Sequence, residues 1–240
     1  MSAVLEVRNL HYRYEDGTPA LDGVDFELNA GETVALLGAN GSGKTTFVLH
    51  LNGLLEGEGQ IRVCGLELNR KNLPVIRRKL GLVFQDSDSQ LFMPTVIEDV
   101  AFAPLNFGRT PSEAREIAQR ALKRVGMEFA MERAPFHLSA GEKKRVAIAG
   151  ILAMDPEILV LDEPTTYLDP IGQRDLIGLL SALPQAKILV THDLEFAAEL
   201  ASRAVFFQKG RAVATGTVSA IVDRFQWGLR ASGLRSDARQ

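Results

Sequence analysis

The 240-residue chain has a single cysteine, Cys64, so no disulfide can form within it. That suits a reducing compartment, and it means the core must hold without covalent staples. Neither sign of charge is in excess: 27 Lys and Arg face 30 Asp and Glu, a net charge of −3. Bulk electrostatics therefore point to no nucleic-acid partner. No apolar run reaches the roughly 18 residues that a bilayer-spanning helix needs. The opening MSAVLEVRNL has no basic n-region ahead of a long apolar stretch, so no signal peptide is expected. Internal repeats and low-complexity runs are absent as well. Three of the four histidines, His11, His50 and His137, form no cluster with metal-ligand spacing. What is present is ordinary globular material, 46% hydrophobic and 24% charged, enough to bury a core.

Periodicity divides the chain. Residues 4–14 and 23–28 alternate as strands do, with turn signals at Glu15-Asp16-Gly17 and Asn29-Ala30-Gly31. TVALLG (33–38) is a short apolar run ending in glycine, followed by helical spacing over 44–54. Residues 59–65 and 80–84 read as strands. From about 86 to 154 the pattern turns helical, with helices expected at 95–103, 112–125 and 141–154. ILVLD (158–162) and KILVT (187–191) are buried-strand runs, and 204–216 reads as a hairpin turning at Lys209-Gly210. We expect an α/β domain over 1–223. Its mostly parallel sheet is covered on both faces and interrupted by a helical insertion. A polar tail, expected to be loosely held, fills 224–240.

GANGSGKT (38–45) fits the phosphate-loop pattern and sits between a strand and a helix, the context that the pattern requires. Gly38, Ala39, Asn40, Gly41, Ser42 and Gly43 form the loop whose N–H groups converge on phosphate oxygens, helped by the helix N-terminus. Lys44 is expected at the β- and γ-phosphates, the Thr45 hydroxyl on Mg²⁺ and Thr46 at the α-phosphate.

ILVLDEPT ends an apolar strand in two acids. Asp162 is expected to orient a water on Mg²⁺, and Glu163 to polarise the attacking water as a general base. His192 closes the next apolar strand, which delivers it to the same sheet edge. Gln85 closes the strand LGLVF, where its amide can reach Mg²⁺ or that water. Tyr14 ends the first strand, as an adenine-stacking ring or simply a strand aromatic. LSAGEKKRVAIAG (138–150) carries a capping box: Ser139 lies three residues before Glu142. It is a helix start, and a helix start is also an anion site.

In this order the pieces resemble the ABC-transporter ATPases over nearly the whole chain: GANGSGKT, Gln85, LSAGE, ILVLDE, the turn TTYLD and VTHD. The resemblance implies a P-loop NTPase core with an N-terminal antiparallel β subdomain, ATP and Mg²⁺ as ligands, and ATP hydrolysis. It gives Tyr14 the adenine and His192 the switch role. Ser139, Ala140, Gly141 and Glu142 become a signature meeting the γ-phosphate of a second ATPase subunit, and Asp169 lies in the loop between subunits. Residues 83–108, with LSAGEKKRVAIAG and THDLEFA, further resemble energy-coupling-factor importers, especially their cobalt and nickel branch. That implies an integral-membrane scaffold, a substrate-capture subunit and a place on the cytoplasmic face of the membrane, with residues 88–94 as the docking segment. Ala140 and Tyr167 depart from the family pattern, which usually has glycine at both. Two other readings fit less well. A soluble ABC protein of translation or DNA maintenance normally needs a second domain or coiled coils, and a small-molecule kinase leaves LSAGE unused. The basic clusters Arg77-Arg78-Lys79 and Lys143-Lys144-Arg145 are read as solvated helix faces.

Overall fold

The computed structural model describes residues 2–227. Two sheets carry the fold. The first is antiparallel, in the order β2-β1-β4-β5, from β1 (Ala3–Arg13), β2 (Pro19–Asn29), β4 (Glu58–Val63) and β5 (Leu66–Glu67). The second runs β10-β9-β3-β8-β7-β6. Its β3 (Thr33–Leu37), β6 (Leu80–Val83), β7 (Ile158–Asp162), β8 (Ala186–Val190) and β9 (Arg203–Gln208) are parallel, and β10 (Arg211–Gly216) is antiparallel to β9. The expected mostly parallel core with an antiparallel N-terminal subdomain is therefore what forms.

The parallel strands are apolar throughout because both faces are covered, and alternation deals their side chains to different cores. Ile158 and Val160 of β7 join the core shared with the first sheet, while Leu159 and Leu161 join the helical core. On β3, Val34 and Leu36 go to the first of these, and Ala35 and Leu37 to a third core under the last helices. The helical insertion lies between β6 and β7. It holds α3 (Val96–Asn106), α4 (Pro111–Arg124) and α5 (Ala140–Leu152). Helix α5 lies so close on β6 that a Cβ at Gly81 would stand 1.8 Å from Ile151 Cγ2.

Several boundaries differ from expectation. Helix α1 (Lys44–Leu51) stops three residues early because Gly53 takes a left-handed φ of 65°, as helix ends favour. Helix α3 continues to Asn106 with Pro104 inside it, where the sequence reading stopped at the proline. Helices α2 (Leu73–Lys79), α6 (Pro170–Ala182), α7 (Leu194–Leu200) and α8 (Val218–Phe225) were not singled out. The boundary expected at 223/224 falls inside α8. There Phe225 stacks on Phe206 with centroids 4.0 Å apart, and Trp227 meets the same ring edge-on. The rest of the expected tail, 228–240, lies outside the described residues. No helix among the described residues is long and apolar enough to cross a membrane.

Candidate functional site

The phosphate loop joins β3 to α1 and is braced from behind. Gly38 has φ 140°, and a Cβ there would stand 2.2 Å from the Phe207 carbonyl of β9. A Cβ at Gly43, φ 105°, would stand 2.6 Å from the Ala20 carbonyl of β2. Only glycine fits such a conformation so near another backbone. The Gly210 N–H donates to the Ser42 carbonyl (2.9 Å), so the β9–β10 turn also supports the loop. Ala39, Asn40, Gly41 and Thr45 remain exposed.

Lys44 is buried, its Nζ donating to the carbonyls of Gly38 (2.7 Å) and Ala39 (3.1 Å). Burial pushes its pKa down, and the charges of Glu163 and Asp162 pull it partly back. The Ser42 hydroxyl is buried without a partner. Tyr14 stands at the loop's flank, its hydroxyl 2.8 Å from Thr46 Oγ1 and its ring part-exposed. A cavity of about 980 Å³ opens beside Gly41, lined by Tyr12, Arg13, Asp22 and Lys209 among others.

The parallel register brings the acids to this loop. Thr45 Oγ1 donates to Asp162 Oδ2 at 3.0 Å. The other oxygen, Asp162 Oδ1, is buried and unpartnered. Burial raises the Asp162 pKa, and the Glu163 charge adds to that. An orphaned carboxylate oxygen, with the Thr45 hydroxyl held on the same carboxylate, is a hard-oxygen donor set that fits Mg²⁺. Glu163 sits just past the strand at φ 45°, its N–H donating to the Val190 carbonyl (2.8 Å). His192 Nδ1 donates to Glu163 Oε2 at 2.8 Å. Thus Lys44, Thr45, Thr46, Tyr14, Asp162, Glu163 and His192 converge.

Gln85 comes in differently. It is exposed, and what holds it is its main chain: buried Lys144 of α5 donates to the carbonyls of Gln85 (2.7 Å) and Phe84 (3.2 Å). Gln90 adds a staple, accepting from the Phe84 N–H (2.9 Å) and donating to the Leu82 carbonyl (3.1 Å). In effect Gln90 supplies the edge strand β6 with a missing neighbour.

The remaining candidates form a separate cluster. The Ser139–Glu142 capping box is made: Ser139 N–H donates to Glu142 Oε2 (2.8 Å) and Glu142 N–H to Ser139 Oγ (3.3 Å). The first of these bonds, with the Ser139 hydroxyl, holds the Glu142 pKa low. Asp169 caps α6, accepting from the Gly172 N–H at 2.6 Å. A groove of about 430 Å³ lies between these two helix starts, lined by Ser139, Ala140, Gly141, Tyr167 and Asp169 among others. Ala140 is the first residue of α5, where helical geometry suits alanine. A Cβ at Gly141 would meet only Leu168 Cδ2, at 3.6 Å. Ala140 itself stands exposed at the helix start. Tyr167 does take the glycine-like conformation, with φ 67° and its ring 78% exposed.

Sequence reasoning missed the Lys209-Gly210 brace, Gln90 and Lys144. The basic clusters are largely engaged within the chain. Arg77 bonds the Asn52 and Gly53 carbonyls, and Lys79 pairs with Glu157. Lys143 pairs with Asp88, and Arg145 with Asp175.

A glycine-rich loop between strand and helix, with a buried lysine and a hydroxyl–carboxylate pair, stands on a doubly covered parallel sheet, a combination that suits a nucleoside triphosphate. The family model for ABC transporters matches residues 21–166, and the chain belongs to that family. Its family activity is ATP binding and hydrolysis. The chain is 48% identical over 220 residues to the energy-coupling factor transporter ATP-binding protein EcfA of Methanothermobacter thermautotrophicus, covering 89% of this chain and 71% of that one. Its fold matches cbiO1 from Clostridium perfringens, part of the ABC transporter complex cbiONQ. The TM-score is 0.84 at 36% identity, over 94% of this chain and 93% of that one. It also matches the dimeric ATP-binding cassette MJ0796 in a post-hydrolysis state bound to ADP and Pi. There the TM-score is 0.79 at 28% identity, over 89% of this chain and 98% of that one.

Proposed function

We propose that this chain is the ATP-hydrolysing subunit of an energy-coupling-factor importer whose cargo is cobalt or nickel ions. The observation that carries the hydrolytic part is the Thr45–Asp162 pair, 3.0 Å apart, with the Glu163–His192 pair beside it. Lys44 gives up the Gly38 and Ala39 carbonyls and turns to the β- and γ-phosphates. The freed loop, with the Ser42 hydroxyl, wraps them, and Thr46 takes the α-phosphate. Tyr14 stacks on the adenine. Thr45, Asp162 and Gln85 would hold Mg²⁺, which neutralises charge on the phosphates. Glu163 takes a proton from the attacking water, and His192 orients that carboxylate and the γ-phosphate. The signature residues Ser139, Ala140, Gly141 and Glu142, with Asp169, act on the nucleotide of a second subunit. Every motif is present here, so a second copy of this chain can fill that place.

The EcfA and cbiO1 likenesses support the importer reading. So does an exposed apolar face around the expected docking segment. Phe92 and Phe102 meet edge-on with centroids 4.9 Å apart, and Leu105, one turn further along α3, is exposed as well. That face fits a membrane scaffold and supports a peripheral place for the chain, which this reading puts at the cytoplasmic side. The alternative cargo is a vitamin or other micronutrient, since the EcfA likeness carries the importer class and no particular substrate.

Phosphate release and uptake test the two parts. Glu163→Gln should bind ATP and release phosphate at least ~100-fold more slowly; near-normal turnover would overturn the assignment. Cells expressing the chain with its neighbouring membrane subunits should accumulate radioactive cobalt or nickel, and the Lys44→Ala variant should not. Lys44-dependent vitamin uptake without metal uptake would favour the second cargo.

A further inference from the structure

Lys144 is a buried cation, 3% exposed, with no carboxylate in hydrogen-bonding contact. Its two bonds go to main-chain carbonyls, those of Phe84 and Gln85, about sixty residues earlier. Burial pushes its pKa down to about 8, against the pull of Asp86 and Asp162, the acids that face it. An apolar side chain would fill this place at less cost, because a buried charge is expensive unless fully compensated. The neighbouring Lys143 pairs with Asp88 at 2.6 Å, on the same loop. Two successive lysines of α5 therefore grip the segment that carries Gln85. At its other end, α5 is locked on β6 by the close contact of Gly81 and Ile151. The helix start at Ser139 thus belongs to a helix fastened to residues 84–88.

We infer that Lys144, backed by the Lys143–Asp88 pair, is a positioning residue that makes the signature helix follow the loop of Gln85. Filling of the chain's own phosphate site then aligns its signature for the partner's nucleotide. This rests on the site reading above, in which Gln85 engages the nucleotide's metal. The bonds lost on cutting the lysine are charge-assisted, so the effect on alignment is substantial.

The test uses the full chain in the Glu163→Gln background, with and without Lys144→Met. ATP affinity is read by displacement of a fluorescent nucleotide, and ATP-driven dimerisation by sedimentation. Lys144→Met should keep ATP affinity within about 2-fold yet need about 10-fold more chain to dimerise. Adding Gln85→Ala to Lys144→Met should cost less than the two single effects combined, because they act through one element. Asp88→Asn, a surface change that threatens no core, should weaken dimerisation by a few-fold. Dimerisation of Lys144→Met at the parent's concentration would overturn the inference. So would a parallel loss of ATP affinity, the mark of general disorder. Should Lys144→Met not fold, parent-like dimerisation of Asp88→Asn overturns it instead. Parent-like behaviour of Gln85→Ala would remove the underlying site reading, whatever Lys144 does.

Discussion

The phosphate loop and the signature are both glycine-containing helix starts, yet they are built in opposite ways. The loop is pressed against its own chain: Gly38 on Phe207, Gly43 on Ala20, Gly210 against Ser42, and Lys44 folded into its carbonyls. The signature has its donors capped by Ser139 and Glu142, an open groove beside it and exposed rims at Tyr167 (78%), Ile171 (69%) and Phe129 (58%). One half-site is shaped from inside, braced from behind by its own chain. The other is shaped only up to its surface, and in the function proposed above what completes it comes from outside the chain.

Substitutions can break that comparison. The largest effect belongs to Gly38→Ala. A methyl 2.2 Å from a carbonyl, at φ 140°, forces the β9 backbone to move. We expect a loss of roughly 3 kcal/mol in denaturant unfolding, together with loss of ATP binding. Gly141→Ala, whose nearest neighbour would be 3.6 Å away, should change stability by less than about 0.5 kcal/mol while still weakening ATP-driven dimerisation. Comparable destabilisation at both glycines would erase the distinction.

A pH series sharpens it next. The folded-state pKa of Lys144 is lowered from 10.5 to about 8, so between these values the unfolded chain binds more protons than the folded one. Its contribution therefore makes the fold more stable as pH rises through that window. The difference in unfolding free energy between parent and Lys144→Met should change across it in the parent's favour. A flat difference would mean that the lysine is not buried as a cation. Ser139→Ala removes the cap and should cost about 1 kcal/mol of stability. Ala140→Gly should cost less than that, well under about 1 kcal/mol, since the position is exposed and opens the helix.

The parts of the candidate site that lie in contiguous motifs were legible in the sequence, because each motif is built from successive residues. GANGSGKT, Asp162-Glu163 and the Ser139–Glu142 box need only a strand or helix in the right place, and hydrophobic periodicity supplies that. The parts that lie across the fold were not. Lys144 and Gly210 act on main-chain carbonyls or N–H groups of distant segments, and a backbone partner leaves no side-chain pattern to read. Gln90 bonds backbone atoms six and eight residues back, which leaves none either. Pro104 misled for a related reason: as a local signal it ends helices, but tertiary packing carries α3 past it with Val100, Ala101 and Pro104 buried. A signal for α6 was present in Asp169-Pro170, a cap followed by a first-turn proline, yet Asp169 was assigned only to the interface between subunits.

The central claim is that the signature half-site is completed by the phosphate loop of another copy. Sedimentation of the Glu163→Gln chain tests it directly. With saturating Mg-ATP, the 26.2 kDa chain should run at twice its mass, and with ADP or no nucleotide it should run as a monomer. A chain that binds ATP fully and still sediments at 26.2 kDa would contradict the account.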